Sequence, residues 1–178
     1  MVRYMDFQKI DDKLTRCDIQ GGVWIDAGCG HGTFSFPLAT LTSQVIALDK
    51  NKNNLTYLES KITTETNIIT QHFDFIQPSW YKHLVNGIFF GFSLHYSPSH
   101  SIVLEHAYNQ LKQGGKLVII EYSSDIPVSW VPYPLPFKKL KIILKTLSYN
   151  EIQVIETFPP RRKSKYWNNA SYMITALK

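Results

Sequence analysis

The chain has 178 residues with a formal net charge of +5, 44% hydrophobic and 19% charged residues, a composition typical of one globular domain rather than a disordered chain. No apolar run approaches the roughly 20 residues of a membrane span, and the first residues lack the apolar segment of a signal peptide. The two cysteines, Cys17 and Cys29, are too few for a disulfide framework, so we expect one domain over residues 1–178 with reduced thiols in the cytoplasm.

Apolar residues at helical spacing after Asp6 predict an amphipathic helix over residues 6–18, within an N-terminal segment of residues 1–20. Beyond it, short apolar runs alternate with helical patterns, which is typical of an α/β domain with a mainly parallel sheet. Pro37 falls inside one predicted helix, where a proline is tolerated in the first turn but kinks the helix further in. The predicted strands cover residues 23–27, 44–48, 67–73, 87–92 and 116–122, and the predicted helices between them cover residues 33–41, 51–64, 78–84 and 102–111.

The pattern changes after the fifth predicted strand. Residues 126–136 carry four prolines together with Trp130 and Tyr133, which predicts a stiff aromatic loop on the substrate side of the domain. Packing across the sheet edge is the alternative interpretation of these aromatic residues. One helix and two closing strands are predicted to follow, over residues 137–147, 152–158 and 171–177.

Positive charge is concentrated at the C-terminal end. Residues 1–137 hold ten Lys/Arg and twelve Asp/Glu, whereas residues 138–178 hold nine Lys/Arg and two Asp/Glu. Basic and aromatic side chains are interleaved in a second substrate-side loop, residues 159–169, and this mixture suits RNA or another anionic partner. A solvated basic face is the alternative interpretation.

The strongest functional signal is the segment DAGCGHG, residues 26–32, which lies between a predicted strand and a predicted helix. Glycines in this setting permit positive φ angles and let a ligand approach the backbone closely, beside the free N–H groups of a helix N-terminus. The third glycine comes one residue too early for the G-x-G-x-x-G dinucleotide motif, which disfavours a dehydrogenase. Asp49 follows the next strand, 21 residues after Gly28, where a carboxylate can accept hydrogen bonds from both ribose hydroxyls. The pattern therefore predicts a nucleoside ligand.

Residues 26–32 resemble motif I of the class I S-adenosylmethionine (SAM)-dependent methyltransferases, and the order of predicted elements matches that family over about residues 20–178. The segment FSLHY, residues 92–96, resembles a motif of the methyltransferase type 11 group, and Gly114-Gly115 resembles that family's turn before the fifth strand. The resemblance implies a three-layer α/β/α Rossmann-like fold. Its seven-stranded, mostly parallel sheet would have the strand order 3-2-1-4-5-7-6 and an antiparallel last strand. The implied cofactor is SAM, with S-adenosylhomocysteine as its product.

The resemblance also implies which residues bind the cofactor. Asp49 matches the acidic ligand of the ribose, and Asp74 with Phe75 matches the pair that holds the adenine amino group and ring. The implied cofactor-binding residues are Asp26, Gly28, Cys29, Gly30, Gly32, Asp49, Lys50, Asp74, Phe75, Phe92 and Ser93.

A methyl group on a sulfonium is already reactive, so a methyltransferase mainly has to position its acceptor and exclude water. His95 is the best candidate for a general base, because it lies just past the fourth strand and an imidazole can accept a proton. A packing role against the cofactor is the alternative. Glu121, at the end of the fifth strand, could act as a base or bind an amine, and a surface or paired glutamate fits the sequence equally well. The candidate substrate-contacting residues are Tyr96, Tyr122, Trp130 and Tyr133.

These signals predict a SAM-dependent methyltransferase that acts on a small-molecule acceptor, mainly by proximity and orientation. The basic C-terminal segment keeps an RNA methyltransferase open as an alternative, and a non-catalytic SAM-binding or partner subunit is a further alternative. The histidines lack the spacing of metal ligands, so the sequence predicts no metal site. We expect no membrane span, and a monomer and a homodimer are both compatible with the sequence.

Overall fold

The computed structural model describes residues 10–160 and 170–178. In this part of the chain a seven-stranded sheet has the order 3-2-1-4-5-7-6, which confirms the predicted topology. The first five strands pair in parallel, and the seventh runs antiparallel to both the fifth and the sixth. The strands are β1 (Val23–Ala27), β2 (Gln44–Asp49), β3 (Ile68–His72), β4 (Val85–Gly91), β5 (Leu111–Tyr122), β6 (Asn150–Phe158) and β7 (Ser171–Leu177).

Helices cover both faces of the sheet, which gives the predicted three layers. The helices are α1 (Ile10–Thr15), α2 (Ser35–Leu41), α3 (Lys52–Glu59), α4 (His100–Gln110) and α5 (Phe137–Thr146), with one turn of 3-10 helix at Leu94–Tyr96. The first three helices share one apolar cluster with Trp24, and the last two share the other cluster with Ile25. These neighbours in β1 enter opposite layers because successive strand side chains point to opposite faces.

The helix predicted over residues 78–84 is wrong, because this segment is an irregular loop. Ser79 has a left-handed φ of 64°. Trp80 is fully buried, donates its indole N–H to the carbonyl oxygen of Gln77 at 2.6 Å, and packs edge to face on Phe90. Burial of the indole in the core therefore determines the path of the chain here, and it overrides the local helical pattern.

The helix predicted over residues 102–111 starts earlier, at His100, and ends at Gln110. Leu111 already belongs to β5, which is longer than predicted. Gly114 has a φ of 71°, and its N–H donates to the carbonyl oxygen of Lys178 at 3.1 Å. The glycine pair therefore lies within the first part of β5, and three residues separate it from the end of the helix.

The helices on the other face are shorter than their patterns predict. The described part of the N-terminal helix ends at Thr15, and the predicted residues 6–9 lie outside the described residues. The second helix starts at Ser35, which places Pro37 in its first turn, where it costs no internal hydrogen bond. The third helix ends at Glu59.

The arrangement of the strands determines where the predicted site residues lie. The carboxyl ends of the parallel strands β1 to β5 meet at one edge, where Asp49 pairs with His72 and Ala27 pairs with Leu48. Ligands of open α/β sheets bind outside this edge. The predicted cofactor and catalytic residues all lie at or just beyond these strand ends.

Candidate functional site

The loop that follows β1 is built on glycines in the left-handed conformation. Gly28, Gly30 and Gly32 have φ angles of 79°, 55° and 82°. A Cβ atom at Gly28 would lie 2.6 Å from the Cβ of Ser93, and one at Gly32 would lie 2.5 Å from a methyl carbon of Leu58. A Cβ atom at Gly30 would meet nothing within 4 Å. The loop is therefore packed tightly on both sides of Gly30, where its backbone borders open space that a ligand can enter.

Asp49, the last residue of β2, holds the glycine loop in place by hydrogen bonds. Its Oδ2 accepts a hydrogen bond from the N–H of Gly30 at 2.8 Å, and its Oδ1 accepts one from the N–H of Asn51 at 2.7 Å. The side-chain amide of Asn54 also donates to Oδ1, at 3.3 Å. A carboxylate has about four acceptor positions, so Asp49 retains acceptor capacity beside the open backbone of Gly30.

Asp26 lies in β1 beneath the loop and is almost fully buried. Its Oδ2 accepts a hydrogen bond from the hydroxyl of Ser35 at 2.6 Å. Burial raises the pKa of Asp26 to about 7, the bond from Ser35 opposes this rise, and the charge of Asp49 adds to it. Ser35 is not among the site residues predicted from the sequence. Its position at the start of α2, nine residues after Asp26, is the feature of the sequence that could have indicated a partner for this carboxyl. A cationic group bound nearby would favour the ionised form of Asp26.

We predict that Asp26 makes the protein less stable as the pH rises from about 4 to about 7. The folded chain keeps this proton until about pH 7, whereas the unfolded chain loses it near the ordinary pKa of 3.8. The folded state therefore binds more protons in this window, so the free energy of unfolding decreases as the pH increases. Asp26→Asn cannot ionise at this position. When the free energy of unfolding is measured by urea denaturation at several pH values in this window, it should therefore fall less steeply with pH in this variant than in the unmodified chain.

The exposed Asp125 provides the control for that measurement. Asp125→Asn removes an acidic side chain without touching the buried carboxyl, and it should retain the slope of the unmodified chain. If Asp26→Asn also retains that slope, the buried carboxyl does not hold its proton in the folded state.

The end of β3 contributes an aromatic wall to the glycine loop. The ring of Phe75 lies 3.0 Å from the position a Cβ atom would take at Gly28, and it packs edge to face on Phe90 with centroids 5.7 Å apart. Asp74 accepts a hydrogen bond from the N–H of Ile76 at 3.1 Å. Phe75 and Asp74 therefore stand beside the loop at the next strand end.

Three further predicted residues have packing or main-chain contacts. The Oγ of Ser93 donates to the carbonyl oxygen of Ala27 at 2.7 Å and ties the end of β4 to β1. The buried thiol of Cys29 donates to the carbonyl oxygen of Gly30 at 3.7 Å, and burial raises its pKa. Lys50 contacts the ring of His72 through its carbonyl oxygen, at 3.0 Å.

His95 and Glu121, which the sequence suggests separately, form one buried pair. The Nδ1 of His95 lies 2.9 Å from Oε1 of Glu121, and the main-chain N–H of His95 donates to Oε2 at 3.2 Å. The N–H of Tyr122 donates to Oε1 at 2.7 Å. Because a carboxylate only accepts hydrogen bonds, this geometry assigns the ring proton to Nδ1 and leaves a lone pair on Nε2. Among the described residues no group hydrogen bonds to Nε2.

Aromatic rings surround this pair. The ring of His95 lies 4.2 Å from that of Tyr96 and 5.5 Å from that of Tyr122, and Tyr122 lies 4.7 Å from Phe92. Phe92 has a left-handed φ of 54°, which is unusual for a residue with a side chain. Tyr96 is half exposed, and burial followed by the charge of Glu121 raises the pKa of its hydroxyl. The rings run from the core of the domain to its surface.

The loop of residues 126–136 lies against this pair through the main chain of Tyr133. The N–H of Tyr133 donates to the carbonyl oxygen of His95 at 3.0 Å. Val128 and Val131 exchange two main-chain hydrogen bonds, and they place the exposed Trp130 in a tight turn. The N–H of Tyr133 therefore connects this loop to the histidine. Most of the second predicted substrate-side loop, residues 159–169, falls in 161–169, outside the described residues.

Within residues 10–160 and 170–178, no three His, Cys, Asp or Glu side chains group together in a way that could hold a metal ion. In the same residues, no helix has the length and apolar character that crossing a bilayer requires.

An open cleft of about 590 Å³ lies between α5 and β6, where Lys141 and Lys145 line it. This cleft contains none of the predicted cofactor or catalytic residues.

Comparison with known proteins gives a family match. The model of the family described as "Methyltransferase domain" matches residues 25–119, just over half of the chain. Curated relatives include the demethylmenaquinone methyltransferase of Oceanobacillus iheyensis, 29% identical over 168 residues, which cover 86% of this chain and 71% of the relative. The enzyme of the same name from Lactococcus lactis is 28% identical over 158 residues, which cover 80% of this chain and 62% of the relative. The chain thus spans less than two thirds of the second relative's length.

Solved structures share the fold at low identity. The YcgJ protein from Bacillus subtilis superimposes with a TM-score of 0.79 at 9% identity, covering 95% of this chain and 98% of that one. Magnesium protoporphyrin IX methyltransferase from Synechocystis, solved with bound SAM, gives a TM-score of 0.67 at 16% identity, covering 100% of this chain and 86% of that one. At these identities the likeness shows the three-layer fold alone.

Proposed function

The chain belongs to the methyltransferase domain family and is a class I SAM-dependent methyltransferase, and from this premise we propose that it methylates a small, largely apolar acceptor with His95 as the general base. The observation that carries the proposal is the buried hydrogen bond of 2.9 Å between His95 and Glu121. It lies at the ends of β4 and β5, next to the strand ends that carry the glycine loop.

The residues around the glycine loop fit SAM. Asp49 offers acceptor capacity for ribose hydroxyls beside the open backbone of Gly30, and the ring of Phe75 offers an apolar wall for adenine. The acidic Asp26 beneath the loop suits a ligand with cationic groups. When bound, SAM supplies a methyl group on a positively charged sulfur, which needs no further activation by the protein.

The buried pair supplies what the cofactor lacks, a proton acceptor. Methyl transfer would break the bond between the methyl carbon and the sulfur of SAM as the acceptor atom bonds to that carbon, and S-adenosylhomocysteine would be the leaving group. An acceptor atom that carries a hydrogen would then have to release it as a proton. The proton then goes to the free Nε2 of His95, and the carboxylate of Glu121 stabilises the resulting imidazolium through Nδ1. This division of tasks resembles the His-carboxylate part of a catalytic triad, in which the carboxylate orients the base.

The surroundings of the pair favour a flat, apolar acceptor. Tyr96 and Tyr133 are both partly exposed and flank the histidine through its ring and its carbonyl oxygen, and aromatic side chains favour stacking with planar ligands. The name demethylmenaquinone methyltransferase, which the curated relatives carry, supports an acceptor with a naphthoquinol ring. The RNA alternative depends on the basic C-terminal segment, residues 138–178, of which residues 161–169 lie outside the described residues. No described contact favours it.

A radiochemical assay tests the proposal. The chain is incubated with SAM that carries tritium in its methyl group and with 1,4-naphthohydroquinone under reducing conditions. We expect label in the organic phase, together with the mass of 2-methyl-1,4-naphthoquinone after reoxidation. Label that enters a mixture of transfer RNAs instead would support the RNA methyltransferase. Binding of S-adenosylhomocysteine without turnover of any acceptor would support the non-catalytic subunit.

A further inference from the structure

His100, the first residue of α4, belongs to none of the predicted sets of site residues, yet it reaches the substrate-side loop. It is 4% exposed, and its Nε2 lies 3.1 Å from the carbonyl oxygen of Tyr133. The N–H of that same Tyr133 donates to the carbonyl oxygen of His95 at 3.0 Å. The backbone of Tyr133 therefore bridges the two histidines, one at each of its polar groups.

The composition of the loop makes this bridge important. Prolines at positions 132, 134 and 136 have no N–H to donate, so Tyr133 and Leu135 are the only main-chain donors over residues 132–136. The carbonyl oxygen of Leu135 accepts a hydrogen bond from the buried hydroxyl of Tyr172 in β7, at 2.5 Å. The loop is thus attached to the core at Leu135 and to the catalytic candidate at Tyr133.

The charges and packing around His100 act on its pKa in both directions. Burial lowers its pKa, and the positive charge of Lys139 lowers it further. The bond to Tyr133 and the charge of Glu121 oppose this change, and His95 adds a small effect in the lowering direction. A neutral imidazole with its proton on Nε2 donates to the carbonyl oxygen of Tyr133.

We propose that His100 is a positioning residue, which holds Tyr133 against His95 and so determines how tightly the acceptor binds beside the base. The inference rests on the proposed function, because the proposed function places the acceptor beside residues 126–136 and SAM at the glycine loop. The second attachment, between Tyr172 and Leu135, keeps the loop on the core when His100 is replaced. The loss of His100 therefore relaxes the loop at Tyr133 without releasing all of it.

Kinetics of two His100 variants test the proposal. His100→Leu retains bulk but has no donor, whereas His100→Gln carries an amide N–H in place of Nε2. With 1,4-naphthohydroquinone, we expect His100→Leu to raise the KM of the acceptor about tenfold, the equivalent of one hydrogen bond of about 1.4 kcal/mol. His100→Gln should restore KM to within about threefold of the unmodified chain, and the Kd of S-adenosylhomocysteine should stay within about twofold in both. His106→Gln, in the same helix, is the control and should change neither constant.

Hydrogen–deuterium exchange provides a readout that does not require activity. The amide of Tyr133, which donates to His95, should exchange faster in His100→Leu and at the original rate in His100→Gln. If His100→Leu does not fold, His100→Asn replaces it. The shorter asparagine side chain holds its amide nearer the helix and too far from Tyr133 to donate, so the same faster exchange is expected. Unchanged exchange together with unchanged KM would overturn the positioning role. Absence of methyl transfer by the unmodified chain would instead refute the proposed function, and the exchange rates would still decide the positioning role.

Discussion

His95→Asn is expected to lower kcat for methyl transfer by about 100-fold or more, the contribution typical of a general base. The amide Nδ2 of asparagine can still donate to Glu121 in place of Nδ1, so the buried carboxylate keeps a partner. Asparagine has no basic nitrogen in the position of Nε2, however, and the acceptor proton then has nowhere in the protein to go. Steady-state rates with tritiated SAM and 1,4-naphthohydroquinone measure the effect.

Two further variants sharpen this experiment. Glu121→Gln should lower kcat less, by about tenfold, because the base remains but loses the carboxylate that orients it and stabilises its cation. His83→Asn is the matched control, since His83 is exposed and lies before the start of β4, at the opposite edge of the sheet from the site, and it should leave kcat unchanged. If His95→Asn also retains the original kcat, the enzyme transfers methyl groups by proximity alone.

Asp49→Asn is expected to weaken SAM binding by about 100-fold, the equivalent of one hydrogen bond to a charged group of about 3 kcal/mol. The carboxylate now holds the N–H groups of Gly30, Asn51 and the side chain of Asn54, and it retains acceptor capacity for a ribose hydroxyl. An asparagine has a single acceptor oxygen, so the anchoring of the loop and the binding of ribose compete for it. Equilibrium dialysis with labelled SAM measures the loss.

The control for that measurement is Asn54→Ala. It removes only the 3.3 Å contact to Oδ1 of Asp49, so the affinity for SAM should stay within about threefold of the original. Equal affinities in Asp49→Asn and in the unmodified chain would show that ribose is not bound at the end of β2. Thermal unfolding of both variants shows whether the loop is still folded.

The fold was largely predictable from sequence because it depends on repeated local patterns. The strands β1 and β7 have the predicted bounds, and alternation with helices indicates the parallel sheet. Family resemblance then supplied the strand order. The helix over residues 78–84 failed because Trp80 is buried by distant parts of the chain, which no local window contains.

The sequence indicates that the site residues lie at strand ends. It does not indicate which of these residues contact each other. His95 and Glu121 are 26 residues apart, and their hydrogen bond depends on β4 and β5 being neighbours in register. The attachment of Tyr133 to His95 and His100 depends on three separate elements that meet. Glycine patterns indicate where a backbone can turn, whereas such pairings become visible only when the strands are assembled.

The central claim is that the sheet edge is divided between a cofactor side at β1 to β3 and a proton-accepting side at β4 and β5. Calorimetric titration of S-adenosylhomocysteine into the unmodified chain, His95→Asn and Asp49→Asn tests it most directly. The predicted result is one-to-one binding of equal affinity in the first two and binding about 100-fold weaker in Asp49→Asn. No heat with the unmodified chain, or equal loss of affinity in both variants, would contradict it.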